Sequence, residues 1–153
     1  MTNDELMTKS EETREDSFWL DGETSLVREE SDAKPIYDLE ERTARFGEAV
    51  VDFARTIPRD SVTDRIISQL VGAGTSVGAN YVEADDSVSK KEFLKCVATC
   101  KKEARETKYF LRIAVRAVPK LKPEARELWR EARKLHLIFA KIWRSGKREE
   151  QGK

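Results

Sequence analysis

Between residues 36 and 145, apolar side chains recur every three or four positions, and no stretch alternates with period two. That pattern is the signature of amphipathic helices, and it leaves no sheet to expect. Four segments carry it. Leu39, Thr43, Phe46, Val50, Phe53 and Ile57 follow 4-3-4-3-4 spacing until Pro58, which stops the first helix. The short turn Pro58-Arg59-Asp60 sends the second helix back antiparallel. Asp60 or Ser61 caps this helix, with Asp64 completing a capping box from Ser61.

The second helix carries two stripes, Ile66-Leu70-Ala73-Val77-Asn80-Ala84 and Ile67-Val71-Gly74-Gly78-Tyr81. Apolar on two sides, it is expected to be the most buried helix of the bundle or of an oligomer. Its glycines weaken the helix by about 1 kcal/mol each and permit close approach of a neighbour. Asp85-Asp86-Ser87 breaks it, and Ser87 or Ser89 caps the third helix. There Phe93, Val97, Cys100, Ala104, Thr107, Leu111, Ala114 and Val118 form an unbroken seam that ends at Pro119. Pro123 suits the first turn of the fourth helix. Its core stripe is Ala125, Leu128, Ala132, Leu135, Phe139 and Ile142, and Ser145-Gly146 is expected to end it. The predicted fold is all-α, an antiparallel up-and-down four-helix bundle over 34–148, followed by a charged tail, 149–153.

Charge changes the picture at the N-terminus. Formal net charge is zero, yet residues 1–33 hold eleven acids and three bases, so an arm of −8 precedes a body of +8. The arm lacks a sustained apolar period and reads as largely disordered. Phe18-Trp19-Leu20 is its one cluster able to dock on the body or on a partner. The acidic start is no signal peptide. No apolar run reaches the roughly 20 residues that span a bilayer. Cys96 and Cys100, one helical turn apart, read as core thiols rather than a disulfide. These features point to a cytoplasmic protein.

Candidate chemistry is sparse. The single histidine, His136, has no obvious orienting partner for base catalysis. A di-iron bundle needs Glu-x-x-His motifs, and none is present. Gly74-x-x-x-Gly78 lies inside a helical pattern without a preceding strand, so it is a packing element and not a phosphate loop. The chain therefore reads as a non-enzyme, with no catalytic residue, metal or cofactor. Its bases are more informative. Lys91, Lys95, Lys102, Arg105, Arg112 and Arg116 share one face of the third helix, and Arg130, Lys134 and Lys141 follow on the fourth. They form either a solvated face interleaved with Glu92, Glu103, Glu124, Glu127 and Glu131, or a phosphate-contacting surface. Ile67, Val71 and Tyr81, with the stripe Trp129, His136 and Trp143, are left over as candidate subunit contacts.

Four stretches resemble the bacterial four helix bundle family, also called the 23S rRNA intervening-sequence protein family. They are YDLEERTARFGEAV (37–50), QLVGAGTSVGANYVEA (69–84), SKKEFL (89–94) and KEARETKYFL (102–111). The resemblance covers about residues 36–145 and leaves the acidic arm outside. It implies an antiparallel four-helix protomer in a homopentameric ring. A related branch, the accessory variability protein of diversity-generating retroelements, is basic and works with a reverse transcriptase and nucleic acid. Carried over by resemblance, the signature polar residues are Ser76, Asn80, Glu83, Glu103 and Glu106, expected to form a structural polar network that fixes helix register. RNA, DNA or a reverse-transcriptase-like protein is thereby an expected partner. A protein-interaction scaffold without nucleic acid is the alternative.

Overall fold

The computed structural model describes residues 14–20 and 38–152. The chain divides into two units, 1–36 and 37–153. In the second unit, α1 (Leu39–Arg55), α2 (Ser61–Asp85), α3 (Lys90–Ala117) and α4 (Lys122–Gln151) follow one another, with a 3-10 turn at Pro119–Leu121 between the last two. Each helix packs on the next, and α4 returns to α1, so the four close into an up-and-down bundle. No strand occurs among the described residues, as the periodicity predicts. None of the helices in the described residues is long and apolar enough to cross a membrane.

The helix boundaries follow from local chemistry. Asp60 caps α2 by accepting hydrogen bonds from the Val62 and Thr63 amides, both at 2.8 Å. The capping box is closed by Thr63, whose Oγ1 accepts from the Asp60 amide at 2.8 Å. Thus Asp60 and Thr63, rather than Ser61 and Asp64, share this role, because the chain stays extended through Asp60 and first turns helical at Ser61. Ser89 caps α3 through the Glu92 amide at 3.1 Å. The fourth helix does not end at Ser145-Gly146. It continues to Gln151 and takes in most of the expected charged tail. The reason is tertiary: Gly146 lies where any Cβ would overlap the Leu94 side chain, so the glycine lets the last turns of α4 lie close against α3. Lys90 and Glu149 then pair across the two helices.

The core is the α3 seam and what covers it. Val97, Cys100, Ala104, Thr107, Leu111 and Ala114 are fully buried, as are Ala125, Ala132, Leu135 and Phe139 of α4. Leu70 and Val77 complete the core from α2, and Val50 from α1. Tyr81 packs on Phe139 with ring centroids 5.9 Å apart, joining α2 to α4. The α1–α2 contact is close because it is built on glycine. A Cβ on Gly74 would lie 2.7–3.0 Å from the Val50 side chain, and one on Gly78 would lie 3.1 Å from Thr43 Oγ1. Across the weaker α1–α4 seam, Arg42 makes two hydrogen bonds to Glu131, at 2.6 and 3.2 Å.

Within the protomer the second helix is not the most buried: Leu70, Ala73 and Val77 of one stripe and Gly74 of the other are covered, while Ile67, Val71 and Gly78 remain half-buried. Within the arm, residues 14–19 are helical, a segment that takes in Phe18 and Trp19 of the apolar cluster. Trp19 in this segment is fully buried, with Phe18 edge-on at 5.0 Å. The rest of the arm lies outside the described residues.

The two glycines of the same helix make opposite predictions. Gly72→Ala meets nothing within 4 Å and should stabilise the bundle by up to about 1 kcal/mol through helix propensity. Gly74→Ala forces Val50 aside and should destabilise it by a net ~1–2 kcal/mol. Urea unfolding of the two variants, followed by circular dichroism, should move the midpoint in opposite directions. Midpoints that move together would contradict the close α1–α2 packing.

Candidate functional site

Burial of the α3 seam dictates which side chains look outward. At about 100° per residue, Lys91, Lys95, Lys102, Arg105, Arg112 and Arg116 project opposite the seam, and all six are exposed. On α4, Lys141 is exposed, whereas Arg130 and Lys134 are half-buried. Arg130 donates to Glu127 at 2.8 Å. Some bases are already engaged on the surface: Lys102 stands 4.0 Å from Glu106 one turn on. Exposed pairs of this kind contribute little to stability.

The residues that sequence reasoning missed lie at the edge of this face. Lys101 and Lys108, seven positions apart, sit between the α3 seam and the exposed stripe, next to α4. Lys101 Nζ stands 5.5 Å from the centroid of the Trp143 ring, and Lys147 Nζ stands 5.7 Å from it. On the same α4 stripe the Arg133 guanidinium lies 5.5 Å from the Trp129 ring. The seven-residue Trp-His-Trp spacing was visible in the sequence. That lysines of the neighbouring helix would come to lie over it was not.

His136 sits at the centre of that stripe. Its Nε2 is buried and has no hydrogen-bond partner among the described residues. Burial, then Lys108, Lys101 and Arg105, push its pKa down to about 4. A neutral imidazole ringed by cations is a poor general base without a group to orient it. Trp129 is itself buried at 1% exposure, and Tyr81 packs on Phe139 inside the bundle. Of the six candidate subunit contacts Trp129 is buried, and Tyr81 and His136 are partly covered within the protomer. Ile67, Val71 and Trp143 stay half-exposed.

Of the expected polar network, Ser76 and Asn80 bond to their own helix, whereas Glu103 and Glu106 interact with each other. Ser76 donates to the Gly72 carbonyl at 2.6 Å and Asn80 to the Ser76 carbonyl at 2.8 Å, both on their own helix. Short polar side chains in a helix reach the preceding turn more readily than a neighbouring helix. Glu83 is exposed. Glu103 and Glu106 do interact, and the Glu103 carboxyl is held above its usual range by burial first and by Glu106 second. Cys96 and Cys100 are free thiols. Burial pushes Cys100 up to about 12, so it stays protonated at neutral pH and is no nucleophile. No group of three or more potential metal ligands occurs among the described residues.

A second surface lies between α1 and α2. Ala44, Gly47, Val51, Gly78, Ala79 and Val82 floor an open groove of about 560 Å³, rimmed by Glu40, Glu48 and Asp52. The groove exists because small residues face each other across the α1–α2 contact.

The depressed His136 pKa carries a stability signature. In the unfolded chain the imidazole takes up a proton near pH 6.5, whereas in the folded chain it does so only near pH 4. The unfolded state therefore binds more protons over that window, and stability falls as pH drops through it. His136→Gln should remove about 1–3 kcal/mol of the wild-type stability loss between pH 7 and pH 4. Denaturant unfolding of both proteins at the two pH values measures this. Equal losses would place His136 in a solvated environment instead.

The fold is shared with a solved structure. The crystal structure of a protein of unknown function from the S23 ribosomal protein family, from Bacteroides thetaiotaomicron VPI-5482, superposes with a TM-score of 0.63 at 21% identity. It covers 69% of this chain and 97% of that one, and at this identity it supports the fold alone. No curated protein matches the chain. The model of the 23S rRNA-intervening sequence protein family matches residues 37–141, which takes in α1 to α3 and most of α4. On that match, the chain belongs to the 23S rRNA-intervening sequence protein family.

Proposed function

We propose that this protein is a non-enzymatic, homo-oligomeric bundle that contacts nucleic acid, or a partner that processes nucleic acid, through the basic face of α3 and α4. One observation carries the reading: Lys91, Lys95, Lys102, Arg105, Arg112 and Arg116 are all exposed on the α3 face opposite the buried seam. A row of cations on a rigid helix neutralises phosphates and releases their counterions. It fixes position without reading sequence. The half-exposed Ile67, Val71 and Trp143 support a homo-oligomer, with a pentamer as the expectation from family resemblance. A cytoplasmic location fits the free thiols.

The α1–α2 groove favours a second reading, a scaffold that binds protein without nucleic acid. Its apolar floor and acidic rim suit a basic amphipathic helix of a partner.

Salt dependence separates the two. Size exclusion with light scattering, run with a mixed RNA and DNA pool, should show an oligomer that takes up nucleic acid at low salt and releases it at about 0.5 M. In the Arg112→Gln/Arg116→Gln double variant the slope of log affinity against log salt should fall by about 1.4–1.8, the contribution of two phosphate contacts. Uptake that ignores salt, or no uptake at all, would shift the assignment to the scaffold. The same run on residues 34–153 tests the acidic arm, whose charge of −8 competes with phosphate. Binding should tighten when the arm is removed.

A further inference from the structure

Tyr109 stands out among the exposed residues of α3. At 57% exposure it is a large aromatic ring left in solvent by a helix whose other large apolar groups are mostly covered. Its position is more telling than its exposure. Lys102 and Arg105 precede it by seven and four residues, and Arg112 and Arg116 follow by three and seven. These spacings put all five on one helical face, with the ring at its middle. The row from Lys102 to Arg116 runs about 21 Å at 1.5 Å per residue.

The ring is also held in place. Phe110, half-buried beside it, packs edge-on at 5.2 Å and 73°. A recess of about 510 Å³ opens next to it, between α2 and α3, lined by Gln69, Lys102, Arg105, Glu106, Tyr109 and Phe110. Each wall has a distinct capability. The tyrosine and phenylalanine offer aromatic surface, Lys102 and Arg105 offer charge to phosphate, and the Gln69 amide both donates and accepts, so it can meet the edge of any base. Glu106 is the one acid in the lining, and it stands near Lys102.

We infer that Tyr109 is a stacking platform for an unpaired nucleobase, flanked by Lys102, Arg105, Arg112 and Arg116 on the phosphates of the same strand. The inference rests on the nucleic-acid reading above and deepens it, since it names single-stranded RNA or DNA as the ligand. In a duplex both faces of each base are covered by its neighbours, so a protruding ring gains nothing from stacking. A single strand presents free base faces, and an aromatic ring among cations exploits both parts of it. The row of cations matches the strand's charge and argues against an apolar protein partner at this spot.

The test uses the full-length chain at low salt with fluorescein-labelled oligo(U), oligo(dT) and a blunt duplex of equal length, read by anisotropy. Wild type should bind the single strands more tightly than the duplex. Tyr109→Ala should lose about five- to a hundred-fold in affinity for the single strands, with duplex binding and the salt slope unchanged. Tyr109→Phe should retain single-strand affinity, because stacking does not need the hydroxyl. Oligo(U) carrying 5-iodouracil should photocrosslink at Tyr109 in wild type. Helical circular dichroism checks that the variants fold. If Tyr109→Ala weakens single strand and duplex equally, or neither, the platform is wrong while the nucleic-acid reading stands. If the wild-type chain binds no oligonucleotide, both fall. If the variant instead changes the mass of the assembly in light scattering, the ring is a subunit contact and the proposal is overturned.

Discussion

Burial of the α3 seam is the constraint from which most of this molecule follows. Val97, Cys100, Ala104, Thr107, Leu111 and Ala114 are wholly shielded from water, which fixes the rotation of a 28-residue helix about its own axis. Once that rotation is fixed, every other face of α3 is assigned. Lys101 and Lys108 turn toward α4. Lys102, Arg105, Tyr109, Arg112 and Arg116 turn to solvent. The core and the candidate binding face are therefore two sides of the same choice, and the apolar contribution of the seam holds the cations in register.

The small residues on the other side of the bundle act in a similar way. Gly74 and Gly78 are unfavourable for an isolated helix, but they let α1 come close enough for Val50 and Thr43 to seat against α2. Gly78, with Gly47 of α1 across the contact, leaves the groove between Ala44 and Ala79 open. Gly146 plays this part for the end of α4 against Leu94. In each place a weaker local helix is exchanged for a closer tertiary contact, which is why glycine inside these helices does not terminate them.

The fold was legible in the sequence to an unusual degree because a bundle is written in one period. Leu39 to Ile57 and Phe93 to Val118 have the spacing of buried stripes, and Pro58, Pro119 and Pro123 mark their limits. The exposed side of α3 was legible for the same reason, since the face opposite a seam is known once the seam is known. Legibility failed where a residue's role depends on what stands across from it. Gly146 looks like a stop until Leu94 is placed beside it. That Ser76 and Asn80 donate to carbonyls of their own helix is visible only in the folded chain. Trp129 reads as a surface residue beside the core stripe until its burial at 1% exposure is known.

By itself, then, the sequence determined the class, the four helices of the bundle, their seams, the family and the segregation of charge into an acidic arm and a basic body. These are properties of periodicity and composition, which a linear string carries in full. Tertiary structure alone decided that Tyr109 stands exposed at the middle of the cationic row beside a recess shared with Gln69, that lysines of α3 lie over the aromatic stripe of α4, and that His136 is held neutral among them. Those facts depend on distances between helices and on rotation about their axes. Both are settled only when side chains from separate segments compete for the same space.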